Sequence, residues 1–151
     1  MAPHCDAPGP DFYTVGYSGR TIDSFVEALT AAGVVCLVDI RFNAVSMYKP
    51  DFSGKNLEAA LRAADIDYVH MPDLGVPSDI RGLATASGRR ADIWDWYDEH
   101  VLPRYSSNLN WFFDSTDHPV ALMCVEKDAE DCHRHVLAGA LARRGLLSID
   151  L

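Results

Sequence analysis

Two rhythms of apolar residues alternate along the 151-residue chain. Short, largely apolar runs have the length and residue types of strands: "FYTVG" at 12–16, "VVCLV" at 34–38, "IDYVHM" at 66–71, "VALMCV" at 120–125 and "LLSID" at 146–150. Between them, apolar residues recur at spacings of three and four, the signature of a helix with one buried face. Ile22, Phe25, Val26 and Leu29 form such a stripe behind Thr21, a candidate N-cap, and Gly33 ends it. Leu57, Ala60, Leu61 and Ala64 predict a second helix, and Ile93, Trp96, Tyr97 and Val101 a third, which Pro103 should break. Helix is also expected across "NLNWFFDS" at 108–115 and in "DCHRHVLAGALARR" at 131–144. Residues 72–90 are rich in Pro, Gly, Ser, Asp and Arg and read as a mobile loop over one end of the molecule.

Alternating strands and helices, with central strands apolar throughout, predict a three-layer α/β fold. Its mostly parallel sheet of about five strands should carry helices on both faces. The expected organisation is a flexible leader at 1–10 and a single domain at 11–151. In such sheets ligands sit outside the carboxyl ends of the strands. That rule gathers the loops after the first four strands at one end. They carry Tyr17, Ser18 and Arg20; Asp39, Arg41, Asn43 and Ser46; His70 and Asp73; and Cys124 through Arg134.

Composition removes several classes. The net charge of −9 argues against broad binding along a phosphate backbone, although it leaves room for a small anion in a local basic pocket. Arg20, Arg81, Arg89 and Arg90 form at most a small basic rim, so nucleic-acid processing is the second alternative. No apolar run approaches the roughly 18 residues of a membrane span, and "MAPHCDAPGP" lacks the features of a secretory signal. A cytoplasmic protein with no membrane partner is expected. The four cysteines match no compact disulfide scaffold and read as reduced thiols.

The stretch "CVEKDAEDCHR" at 124–134 concentrates the chemistry. Cys124 ends a strand, where loop amides and a following helix lower a thiol pKa in thiolate enzymes. Four carboxylates in the intervening loop (Glu126, Asp128, Glu130 and Asp131) would repel the anion that a phosphatase-like cradle holds. Helical phase turns His133 inward with Val136, Leu137 and Ala140, and His135 toward solvent. His133 or Glu126 would move a proton. Arg134 would hold a carboxylate or phosphate, or pair with Asp39 or Glu126. Cys124, Cys132 and His133 with a carboxylate such as Asp39 or Glu126 would make a four-ligand metal site, the lesser alternative to a site without cofactor. Asp39 and Arg41 face one way from a strand end, and Ser18 precedes a helix start. No glycine-rich dinucleotide or P-loop motif occurs. Cys36 and the Trp and Phe residues read as core.

"VGYSGR", "LVDIR", "YVHMPDLG" and "ALMCVEKDAEDCHR", in this order over roughly residues 12–150, resemble the bacterial domain of unknown function 488 family. The resemblance strengthens Cys124 as a functional residue but implies no reaction. The reading that follows is a hydrolase or transferase acting on a small anionic, nucleotide- or sugar-like molecule. Cys124, Glu126, His133 and Asp39 would be catalytic. Tyr17, Ser18, Arg41, His70, Cys132 and Arg134 would bind substrate. A metal- or ligand-binding module without catalysis is the alternative.

Overall fold

Residues 10–105 and 119–151 are described by the computed structural model. The expected leader, apart from Pro10, and the helix expected over 108–115 lie outside the described residues. Strands β1 (Phe12–Gly16), β2 (Cys36–Asp39), β3 (Asp67–His70), β4 (Val120–Cys124) and β5 (Ser148–Asp150) form one sheet in the order β3-β2-β4-β1-β5. Every pairing is parallel. Parallel neighbours need long crossovers, and helices supply them. They are α1 (Ile22–Ala31), α2 (Gly54–Arg62), α3 (Ser78–Ser87), α4 (Ala91–His100) and α5 (Arg134–Ala142).

The strands show why both faces are covered. In β4, Val120, Leu122 and Cys124 enter one core, and Ala121 and Met123 the other. In β2, Cys36 and Val38 face one way and Leu37 the other. This period of two buries every β4 residue and explains the unbroken apolar run. Helices α1 and α2 cover one face through Phe25, Leu29, Leu57 and Leu61. Helices α4 and α5 cover the other through Tyr97, Leu137 and Leu141. Thr21 caps α1 as expected, its hydroxyl accepting from the Ser24 amide at 3.0 Å while the Ser24 hydroxyl accepts from the Thr21 amide. Helix α4 stops at His100, just before Pro103.

The mobile loop expected over 72–90 is largely helical instead. A 3-10 turn at Pro72–Leu74 leads to α3, which begins after Pro77 and ends at the left-handed Gly88. Its buried apolar stripe is narrow: Ala84 is buried and Ile80 packs against the α4–α5 core, while Leu83 is exposed among polar and small residues. So thin a stripe on a polar segment hides a helix from periodicity. Among the described residues no helix is long and apolar enough to cross a membrane.

Gly16 closes β1 opposite Cys124. A Cβ there would collide with the Glu126 carbonyl and lie 3.0 Å from Arg134 Nη1. Both neighbours are held, so neither can yield. Gly16→Ala should cost about 1–3 kcal/mol, read as a lower urea midpoint; an unchanged midpoint contradicts this packing.

Candidate functional site

Neighbouring strands β1 and β4 send their chains to opposite faces. Helix α1, after β1, packs into one core, and α5, after β4, into the other. The loops therefore part at the carboxyl ends of the strands, and a cavity of about 610 Å³ opens there. Its walls include Tyr17 beyond β1, Arg41 beyond β2, Cys124 at the end of β4, and Cys132 and His133 ahead of α5. The volume lies within the roughly 300–1,000 Å³ of small-molecule sites.

Asp39 and Arg41 pair with each other. Arg41 Nε donates to Asp39 Oδ1 at 2.9 Å and Nη2 to Oδ2 at 2.7 Å, with side chains 0% and 4% exposed for Asp39 and Arg41. The Arg41 amide also donates to Oδ1, and the Tyr68 hydroxyl to Oδ2 at 2.6 Å. Burial first, then the Asp39 carboxylate, raises the Tyr68 pKa, so this donor keeps its proton. Burial works against the Arg41 charge, but the hydrogen bonds and attraction of Asp39 outweigh it and raise the guanidinium pKa. Arg41 Nη1 is buried and has no hydrogen-bond partner among the described residues. Asp39 is not in the cavity wall; it fixes the residue that is.

Arg134 is 0% exposed and is not a cavity wall residue either. Its Nε donates to Asp150 Oδ1 at 3.1 Å, Nη1 to the Glu126 carbonyl at 2.6 Å and to Cys124 Sγ at 3.4 Å, and Nη2 to the Lys127 carbonyl at 3.0 Å. Its ion-pair partner is Asp150 on β5, not Asp39 or Glu126. Carbonyls, not amides, are gathered around this guanidinium. The loop is thus no anion cradle, in line with its carboxylates.

The thiols expected at Cys124 and Cys132 are joined as a disulfide. A 3-10 turn at Ala129–Asp131 reverses the chain and returns Cys132 to the end of β4. Helix α5 begins only at Arg134, so Cys132 and His133 lie before its first turn. His133 does face inward. Its Nε2 is 2.9 Å from the Ile40 carbonyl, which can only accept, so Nε2 carries the proton. Nδ1 then presents its lone pair 3.6 Å from Cys132 Sγ. Burial, with the nearby positive charges of Arg81 and Arg134, lowers the His133 pKa to about 4 against the pull of that carbonyl. The ring is neutral at neutral pH. His135 departs from the expected solvent face: it is half-buried, edge-on to Trp94 at 4.8 Å.

The other expected residues divide. Tyr17 and Glu126 line the cavity, Glu126 half-buried. Ser18 is exposed and outside it, and Thr21 does the capping. His70 Nε2 donates to the Arg41 carbonyl at 2.7 Å and so supports the wall from behind. Ser78, Arg81 and Trp94 line the cavity from α3 and α4, among residues the sequence assigned to a loop or to core. Arg81, marked only as part of a basic rim, was the one legible signal. The rest of that rim is engaged: Arg20 with the Leu151 carbonyl, Arg89 with Asp92, and Arg90 with Asp131.

A parallel α/β domain with a sulfur- and imidazole-lined cavity at the carboxyl end of its sheet is the class these features define. The profile of the family described as "Domain of unknown function DUF488" matches residues 21–141, and the chain belongs to that family. No curated protein and no solved structure matches it.

The neutral His133 is directly testable. Its ring nitrogen signals should stay in the Nε2-protonated neutral pattern as pH falls from 7 to 5, through the range where an ordinary His with pKa about 6.5 titrates. Protonation midway through that range contradicts the burial described.

Proposed function

We propose that the protein is a cytoplasmic hydrolase or transferase that takes a small molecule bearing an anionic group into this cavity. The single supporting observation is Arg41 Nη1, a buried donor in a cavity-wall residue with no partner among the described residues. Buried donors are almost always satisfied, and an orphan costs about 1–3 kcal/mol. A phosphate or carboxylate oxygen is the natural acceptor for it. Asp39 and Tyr68 hold the guanidinium rigid from behind, so little conformational freedom is lost on binding. Arg81, exposed at the cavity, adds positive charge without a carboxylate partner among the described ion pairs.

The remaining walls suit a nucleotide- or sugar-like body. Phe42 and Trp94 offer flat apolar faces, and Asn43 and Ser78 offer hydrogen bonds. The reactive groups are those of the wall built by β4 and the α5 entrance. His133 Nδ1 accepts a proton, Glu126 stands as a second proton carrier, and the sulfurs of Cys124 and Cys132 adjoin them. Asp39, His70 and Arg134 act by positioning Arg41 and the loop.

Binding is the first test. Inorganic phosphate, a sugar phosphate and a nucleoside monophosphate should raise the melting temperature of the wild type, one of them most. Replacing Arg41 alone leaves Asp39 buried and unpaired, at a cost of about 3–5 kcal/mol. The charge-neutral double variant Asp39→Asn/Arg41→Met removes both charges and keeps much of the volume. It should fold and bind the best of these ligands at least tenfold more weakly. Equal binding by the two proteins would sink the anion reading.

A further inference from the structure

We propose that Cys124, Cys132 and His133, once the disulfide is reduced, form a three-ligand site for a zinc-class divalent ion whose fourth position opens into the cavity. The inference stands without the anion reading, which rests on Arg41, because it concerns the wall of Cys124, Cys132 and His133. Among the described residues, the Sγ atoms of Cys124 and Cys132 and a ring nitrogen of His133 lie within 4.8 Å of one another. A tetrahedral ion with bonds of about 2.3 Å to sulfur and about 2.0–2.1 Å to nitrogen spaces its sulfur and nitrogen ligands about 3.6 Å apart. Cys132 Sγ and His133 Nδ1 are 3.6 Å apart.

The surroundings are those of a ligand set. His133 donates Nε2–H to the Ile40 carbonyl, which fixes the tautomer and aims the unprotonated Nδ1 at the sulfurs. A ligating imidazole ordinarily has such an outer partner. Arg134 Nη1 donates to Cys124 Sγ at 3.4 Å and favours the thiolate that a metal requires. Two thiolates and an imidazole select a borderline-soft ion such as zinc over magnesium or calcium. Among the described residues no fourth protein ligand joins the cluster: neither Asp39 nor Glu126 belongs to it. Three protein ligands and one open position are the mark of catalytic zinc, where water or substrate completes the shell. All three residues line the cavity, so that position meets whatever enters it. Under this inference Cys124 and His133 would hold the ion, replacing the nucleophile and proton-acceptor roles proposed above for the metal-free site, and the ion would supply an activated water at its open position.

Disulfide and metal exclude each other, since the bonded sulfurs have no thiolate to offer. Reducing conditions, as in a cytoplasm, favour the metal form.

The test uses the full chain, reduced with a phosphine in metal-free buffer without oxygen, and titrated with Co²⁺. One equivalent should bind and give thiolate-to-cobalt charge-transfer absorption with the visible bands of a tetrahedral ion, and Zn²⁺ should displace it. The oxidised protein should bind at least tenfold more weakly. Cys124→Ser and Cys132→Ser should each lose the charge-transfer intensity and at least tenfold in affinity, whereas Cys5→Ser should keep both. X-ray absorption of the zinc-loaded wild type should show two sulfur ligands and one imidazole, which tests His133 without a variant that might misfold. Uptake by the reduced wild type no greater than by the Cys124→Ser/Cys132→Ser double variant would overturn the proposal. So would a zinc shell without sulfur. Phosphate-ester binding to the metal-free protein is measured separately, so either reading can fail alone.

Discussion

A guanidinium with no exposed surface, that of Arg134, holds the functional end of this molecule together. A buried cation must find acceptors in every direction its N–H groups point. Arg134 finds them on three separate pieces of chain: the Asp150 carboxylate on β5, the Glu126 and Lys127 carbonyls in the loop, and the Cys124 sulfur at the end of β4. These demands fold the loop back over the sheet and leave no space at Gly16 for a side chain. They also set Cys132 and His133, the residues just before Arg134, against the strand end. The same charge that would serve an anionic substrate is therefore engaged in architecture.

Arg41 is the counterpart with one direction left unmet. Asp39 satisfies two faces of its guanidinium and neutralises its charge, so the pair adds no net charge to an acidic chain. What remains is directional: one buried N–H group without an acceptor among the described residues. The two arginines have similar burial and opposite consequences. Full satisfaction makes Arg134 structural, and incomplete satisfaction makes Arg41 the better candidate for contact with a ligand.

Much of the architecture was legible in the chain. Five strands appear where strand-length runs were read; central β4 is apolar throughout because both its faces are covered, whereas the edge strands β3 and β5 carry Asp67, His70, Ser148 and Asp150. The carboxyl-end rule also brought the segments around Tyr17, Arg41 and Cys124 to one place. Helix α3 was not legible, since Ile80 and Ala84 supply nearly all its apolar contact and the rest of the segment has loop composition. Pairings were harder. Asp39 and Arg41 bond directly, although nothing in their spacing distinguishes that from pairing with others. The Asp150 partner of Arg134 follows only from strand order, which places β5 beside β1 and β1 beside β4.

By itself the sequence determined the α/β class, the parallel sheet and the end of it at which polar residues collect. Those follow from periodicity and local chain geometry, which each segment carries alone. Only the tertiary structure decided which of the gathered groups keeps a free valence. It turned Arg134 inward and left Arg41 Nη1 unpartnered among the described residues. It also brought Cys124, Cys132 and His133 within ligand distance. Satisfaction of a hydrogen bond depends on atoms from strands and loops far apart in the chain, and no local pattern records where those atoms meet.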